Sequence, residues 1–136
     1  MPGVGERHGS GGPWEDRFGY SRVVRVGPLA LTAGCTAVVD GVVAAPGDAG
    51  EQTRIALGSG LAALAQVGVA PAQVVATRLS IVDRADAEAV GRAHGQVFAD
   101  VRPAATMVVV AGLIDPAMRV EVELTAWAGP DRLSAP

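Results

Sequence analysis

Between Arg119 and Trp127 the chain reads RVEVELTAW. In a strand, alternation sets Arg119, Glu121, Glu123, Thr125 and Trp127 on one face and Val120, Val122 and Leu124 on the other. Carboxylates on the polar face of such a strand mark either a solvated surface or a catalytic one. A carboxylate that is partly buried has its pKa raised toward neutrality, and it can then take a proton from water as a nucleophile develops. The competing reading of Glu121 is an ion pair with Arg78 or Arg119 in a polar interface.

Other residues able to do chemistry are few. Cys35 is the single cysteine, which rules out an internal disulfide and most cysteine-built metal sites. Its thiolate would be a potent nucleophile. No partnered base is found in sequence, however, and a lone cysteine in an apolar strand is usually packing material. His94 falls on a predicted helix, and with His8 as the one other histidine a zinc site is not expected. All eleven basic residues are arginine, so Schiff-base catalysis by lysine is excluded. Gly58-Ser59-Gly60 lies within an apolar helical stretch with no Lys-Ser/Thr after it, and no Rossmann glycine pattern follows a strand. We therefore expect no cofactor and no metal.

The elements that must position these groups follow from periodicity and turn chemistry. Ser21 to Gly34 is apolar and β-branched with Gly27-Pro28 inside it, which predicts strand, tight turn and strand. Val38 to Val43, centred on Asp40-Gly41, predicts a small hairpin. Asp48 is a candidate N-cap for a helix carrying Ile55, Leu57, Leu61, Leu64 and Val67 and closed by Gly68. Val74 to Val82 alternates as a half-buried strand, Asp83 to Asp86 turns, and Asp86 is expected to cap a second helix running to Phe98. Strands Thr106 to Ala111 and Arg119 to Trp127 complete an α+β layout, a mixed β-sheet with both helices on one face.

The chain has 136 residues, 49% hydrophobic and 18% charged, which suits one packed domain. The Gly- and Pro-rich stretch 1–13 is expected to be a flexible arm, 14–130 the domain and 131–136 a tail. A net charge of −3 argues against nucleic acid as partner. With no secretory h-region and no uninterrupted apolar run of spanning length, we expect a soluble, cytoplasmic protein without membrane contact.

Three segments carry a family resemblance: Gly12-Pro13-Trp14-Glu15 with Phe18-Gly19-Tyr20; Gln52-Thr53-Arg54; and Arg102-Pro103-Ala104-Ala105-Thr106-Met107 running through Leu113-Ile114-Asp115-Pro116 to Leu124. On these the chain resembles the Rid (YjgF-like) family, of chorismate-mutase-like fold, in a divergent branch. The resemblance covers about residues 14 to 128. It implies a barrel-cored homotrimer that acts on a small-molecule substrate in clefts between subunits. Glu121 matches the family's water-orienting strand glutamate and is the implied catalytic residue. Tyr20 matches a cleft tyrosine, Ala33-Gly34-Cys35 a cleft-lining strand end, and Trp14 is an expected apolar wall.

The chain departs from the family at Ala105, where the deaminases carry the arginine that clamps a substrate carboxylate through paired charge-assisted hydrogen bonds. Met107 also replaces a ligand-facing residue, so a greasier pocket is expected. Arg102 lies at odd spacing from position 105, where only the turn before Pro103 could redirect it; Arg17, Arg22 and Arg78 are the other candidates for the clamp. The expected function is hydrolysis, tautomerisation or dehydrative cyclisation of a reactive imine, enamine or keto intermediate of specialised metabolism, rather than standard 2-imino acid deamination. The alternatives are a non-catalytic ligand-binding or regulatory homologue and, least favoured, an endoribonuclease or translation inhibitor.

Overall fold

A computed structural model describes residues 3–130 of the chain; the expected tail at 131–136 lies outside the described residues. The element order is β1 (Glu6–His8), α1 (Pro13–Phe18), β2 (Val23–Val26), β3 (Leu29–Thr32), β4 (Val38–Val39), β5 (Val42–Val43), α2 (Ala49–Gln66), β6 (Val74–Ile81), α3 (Ala87–Phe98), β7 (Ala104–Val109) and β8 (Val120–Trp127). Six strands form one sheet in the order β1-β2-β3-β8-β6-β7. All neighbours are antiparallel except β6 and β7, which run parallel because α3 supplies the crossover between them.

The sheet is covered on one side. Val120, Val122, Leu124 and Ala126 of β8 are buried with Leu57 and Leu64 of α2, Val90 and Phe98 of α3, and Leu79 and Ile81 of β6. Each fully buried Leu or Phe of this cluster contributes about 1.5–3 kcal/mol from area removed from water. Helix α2 lies close to the sheet because Gly60 has no side chain: a Cβ there would come within 2.8 Å of the Leu124 side chain. The opposite face carries Leu31, Thr125, Arg78, Glu123, Ser80, Glu121 and Val108, as the strand registers require.

The expected hairpin forms, with Asp40 (φ 51°) and Gly41 (φ 78°) both left-handed as a type I′ turn demands. Asp48 caps α2 by accepting the Glu51 N–H at 3.0 Å. At Asp86 the expectation needs correction. It makes no cap bond, because both of its oxygens accept from Arg119, at 2.9 and 3.1 Å; a bidentate guanidinium–carboxylate pair is stronger than a neutral cap. Part of the stretch expected as an arm is ordered. Glu6–His8 pairs with Val23–Arg25, and the chain then turns into α1, a six-residue helix opened by Pro13 and closed by Gly19 at φ 72°. Among the described residues no helix is long and apolar enough to cross a membrane.

Gln52 ties the layers together. It is fully buried, and its Nε2 lies within hydrogen-bond distance of the carbonyls of Ala44, Ala45 and Ala117, the last at 3.0 Å, while its Oε1 accepts the Arg119 N–H at 2.8 Å. One α2 side chain thereby fixes the turn before α2 and the loop before β8. Gln52→Ala should cost about 2–3 kcal/mol, since several buried backbone groups lose their partner at once. Urea unfolding checks this: an unchanged midpoint would mean that water takes over these bonds.

Candidate functional site

Alternation along β8 puts Glu121 on the open face, half-buried, between buried Val120 and Val122. Beside it the chain from β3 continues as Ala33-Gly34-Cys35, and Cys35 bridges Val122: its N–H donates to the Val122 carbonyl at 2.7 Å and its carbonyl accepts from Val122 at 2.9 Å. This pairing lays Gly34 directly against the Glu121 carboxylate, where any Cβ would collide with it. Glycine at position 34 therefore lets the carboxylate keep this place, from which a Cβ would displace it.

Two residues organise the wall opposite. Glu15 of α1 is buried and accepts from the Ser10 N–H at 2.8 Å, from the Ser10 hydroxyl, and from Arg22 Nε at 3.4 Å. Its backbone carbonyl accepts from Gly19 and Tyr20. Arg22, with 18% of its side chain exposed, donates through Nη1 to the Gly34 carbonyl, and the same nitrogen lies 3.8 Å from Cys35 Sγ. A continuous path thus runs from Ser10 through Glu15 and Arg22 to the backbone on which Glu121 rests. Trp14 stacks on Phe18 at 5.4 Å with Arg17 over its ring, and Arg22 sits 5.7 Å from the Tyr20 ring centre.

Of these residues Ser10, Trp14, Tyr20, Arg22, Gly34, Cys35 and Glu121 line one cleft of about 970 Å³, together with Thr36, Ser59, Gln66, Ile114 and Asp115. Ile114, 82% exposed, and Asp115 come from the loop that Gln52 holds. Asp115 stiffens that loop by accepting the Ala117 N–H through its side chain and the Met118 N–H through its carbonyl.

The electrostatics separate the carboxylates. For Glu15, burial would raise the pKa, but two hydrogen bonds from Ser10 and the Arg22 charge outweigh it and leave the group below the usual carboxylate value. For Glu121, burial and then the neighbouring Glu123 charge push the pKa up, with Arg22 opposing only in part. Burial also raises the Cys35 thiol despite Arg22 beside it, so Cys35 is poorly set up as a thiolate nucleophile. His94 is on the helix-covered side: Nε2 lies 2.8 Å from Thr77 Oγ1, and burial lowers its pKa.

Of the residues singled out from sequence, Trp14, Tyr20, Gly34, Cys35 and Glu121 come together in this cleft. Ala33 lies just behind it, its N–H committed to the Arg22 carbonyl. Ala105 and Met107 do not line it. Both lie on β7 in register with Thr77 and Leu79, on the helix side of the sheet, and Met107 packs against the core and comes near Gly91 of α3. The expected contribution of Met107 to a greasier pocket is thus not seen within the chain. Neither arginine proposed to pair with Glu121 does so: Arg119 forks onto Asp86, and Arg78 stands opposite Glu123 in the strand register. Sequence reasoning misses Ser10 and the Glu15–Arg22 pair as site residues; the available signals are the Trp14-Glu15 segment and the candidacy of Arg22 as a clamp. Among the described residues no group of His, Cys, Asp and Glu is arranged to hold a metal ion.

Known proteins agree with this architecture. Residues 15–128 match the family model described as Endoribonuclease L-PSP. An uncharacterized protein of Streptomyces coelicolor is 41% identical over 120 residues, covering 88% of this chain and 90% of its own. The crystal structure of a Mycobacterium tuberculosis member of the highly conserved YjgF/YER057c/UK114 family superposes with a TM-score of 0.82 at 40% identity, over 90% of this chain and 98% of that one. A Yersinia pestis protein of unknown function from the conserved Rid family shares the fold, with a TM-score of 0.75 at 24% identity over 80% and 87% of the two chains.

The opposed shifts of the two carboxylates predict opposed stability effects. A folded-state pKa raised above the unfolded value means stability is lost as pH rises through it. Glu121→Gln should therefore be more stable than wild type at about pH 7, with the gap closing toward about pH 4. Glu15, with a lowered pKa, contributes stability above the usual carboxylate pKa that is lost on acidification, so Glu15→Gln should be the less stable protein at neutral pH. Thermal melts across that range check both signs, and parallel shifts in the two variants would contradict the assignment.

Proposed function

The chain belongs to the YjgF/YER057c/UK114 (Rid) family, and from that premise we propose that it acts on a small reactive imine, enamine or keto compound, with hydrolysis as the leading reaction. The observation that carries this reading is Glu121, a half-buried carboxylate of raised pKa pressed against Gly34 inside a cleft. A carboxylate whose pKa is displaced toward neutrality is a competent base at physiological pH. Glu121 takes a proton from water as the oxygen adds to the imine carbon and passes it to the nitrogen, giving the carbinolamine; the hydroxyl proton then follows to the nitrogen as the C–N bond breaks and ammonia leaves. The amides of Ala33 and Cys35 are committed to other backbone carbonyls, so the Gly34 N–H and the Tyr20 hydroxyl are the donors assigned to orienting the ligand.

The open sheet face exposes Val26, Leu29, Leu31 and Val108, apolar area that association would bury. We assign it to a homotrimer with the cleft at the subunit boundary, so sedimentation should report three chains and Leu31→Glu should shift the mass downward. An RNA-cleaving role, which the family description names, is the less favoured reading for a chain of net charge −3 whose cleft holds Glu121 and Asp115.

Glu121→Gln should lower kcat for imine hydrolysis by about 10²–10⁴-fold, the usual contribution of a positioned general base. Gly34→Ala should lower it as well, by displacing the same carboxylate. Carbonyl formation from freshly generated imine, followed against the spontaneous rate, is the measurement. Wild-type turnover unchanged in Glu121→Gln would remove the mechanism, and tight ligand retention without turnover would move the protein to the binding class.

A further inference from the structure

The cleft's charge pattern specifies its substrate more narrowly. Resting on the imine reading above, we infer that the natural substrate carries no carboxylate: an imine or iminium derived from a simple amine, not from an amino acid. Position 105 lies outside this cleft and its side chain has neither charge nor donor, so within one chain any clamp must come from another arginine. Among the arginines of the described residues, Arg22 is the one that lines the cleft. Arg17 stacks over Trp14 and Phe18 outside the lining. Arg78 belongs to a separate, smaller groove with Glu123 and Thr106. Arg102 stands exposed at the end of α3, its φ of 55° and its N–H bond to the Phe98 carbonyl making it a helix terminator. Arg25 and Arg119 are committed to the Val67 carbonyl and to Asp86.

Arg22 is itself already matched. Its Nε faces the buried Glu15 carboxylate, and its Nη1 is held by the Gly34 carbonyl. A substrate carboxylate would have to compete with Glu15, an internal anion pre-positioned by Ser10 and already desolvated. The remaining charges of the lining, Glu121 and Asp115, are negative. The field of the chain's own lining therefore disfavours an anionic substrate and favours a neutral imine or a protonated iminium.

The reaction balances without a co-reactant: one iminium ion and one water give one carbonyl compound and one ammonium ion. Water's oxygen forms the new C–O bond and the C–N bond breaks. Both of the water's protons leave on the nitrogen, one of them by way of Glu121. The reaction that supplies such a substrate is the two-electron oxidation of an amine to its imine.

Two probes differing only in the carboxylate test this. The imine of 2-phenylethylamine and the 2-imino acid of phenylalanine are each generated by an oxidase, and carbonyl formation is followed with the full-length protein. We expect kcat/KM for the amine-derived imine to exceed that for the imino acid by at least about ten-fold, the scale of one adverse charge contact in a partly buried site. Arg22→Gln should lower both rates in proportion, as befits a positioning residue, while Glu15→Gln, by freeing the Arg22 charge, should shift preference toward the imino acid through KM. Preferred turnover of the imino acid by wild type, or a loss in Arg22→Gln confined to that substrate, would overturn this inference and leave the imine reading intact. Acceleration of neither probe would overturn both.

Discussion

The period-two alternation of β8 is the constraint on which the rest of the structure depends. The strand is central, flanked by β3 and β6, and its Val120, Val122, Leu124 and Ala126 are buried almost completely. A slip of one residue would drive Glu121 and Glu123 into the helix-covered core and expose the valines. Burying an unpaired carboxylate costs several kcal/mol, and the lost apolar burial adds to that, so the register has one stable solution. Glu121 is on the open face because its neighbours must be on the other. The bridge from Cys35 to Val122 then passes along the same strand, which is why Gly34 meets the carboxylate.

Around this fixed point the site is assembled from segments distant in sequence, each held by one polar anchor. Gln52 fastens the loop that presents Ile114 and Asp115, and Glu15 fastens the segment that presents Trp14 and Tyr20. The anchors themselves are buried, so the exposed apolar side chains they present are positioned without packing against the main core. This division leaves the lining free to vary while its supports stay tied to backbone atoms.

Much of the fold was legible because it rests on local rules. The Gly27-Pro28 turn, the Asp40-Gly41 hairpin, the Asp48 cap and the alternation of β6 and β8 each follow from a few adjacent residues. What escaped depended on partners far along the chain. Glu6–His8 is a strand only because β2 offers an edge to pair with, and its glycine-rich flanks suggested an arm. Helix α1 is too short to display a period. Asp86 had the right type and place for a cap, but Arg119, far along the chain, competes with the helix for it and wins. The resemblance points to Glu121, Gly34, Cys35, Tyr20 and Trp14, which one cleft brings together, whereas the Glu15–Arg22 pairing joins two strongly polar residues that nothing local links. For Met107, the spacing from Ala105 says that the two share a face, but not which face the helices cover, and within the chain that face is the helix side.

The Glu15–Arg22 pair also links, on the proposed reading, a raised Glu121 to the lack of a carboxylate clamp. An uncompensated guanidinium in this cleft would favour ionised Glu121, drawing its pKa down and weakening it as a base. With Glu15 beside it, Arg22 opposes the effect of burial and Glu123 only partly. On the proposed reading, the same compensation withdraws Arg22 from service as a receptor for substrate anions. A cleft that needs both a strong clamp and a basic carboxylate must keep the two apart, for instance by drawing the cation from another element. Here the one arginine of the lining serves instead to brace Gly34, and the basicity of Glu121 is what that arrangement preserves.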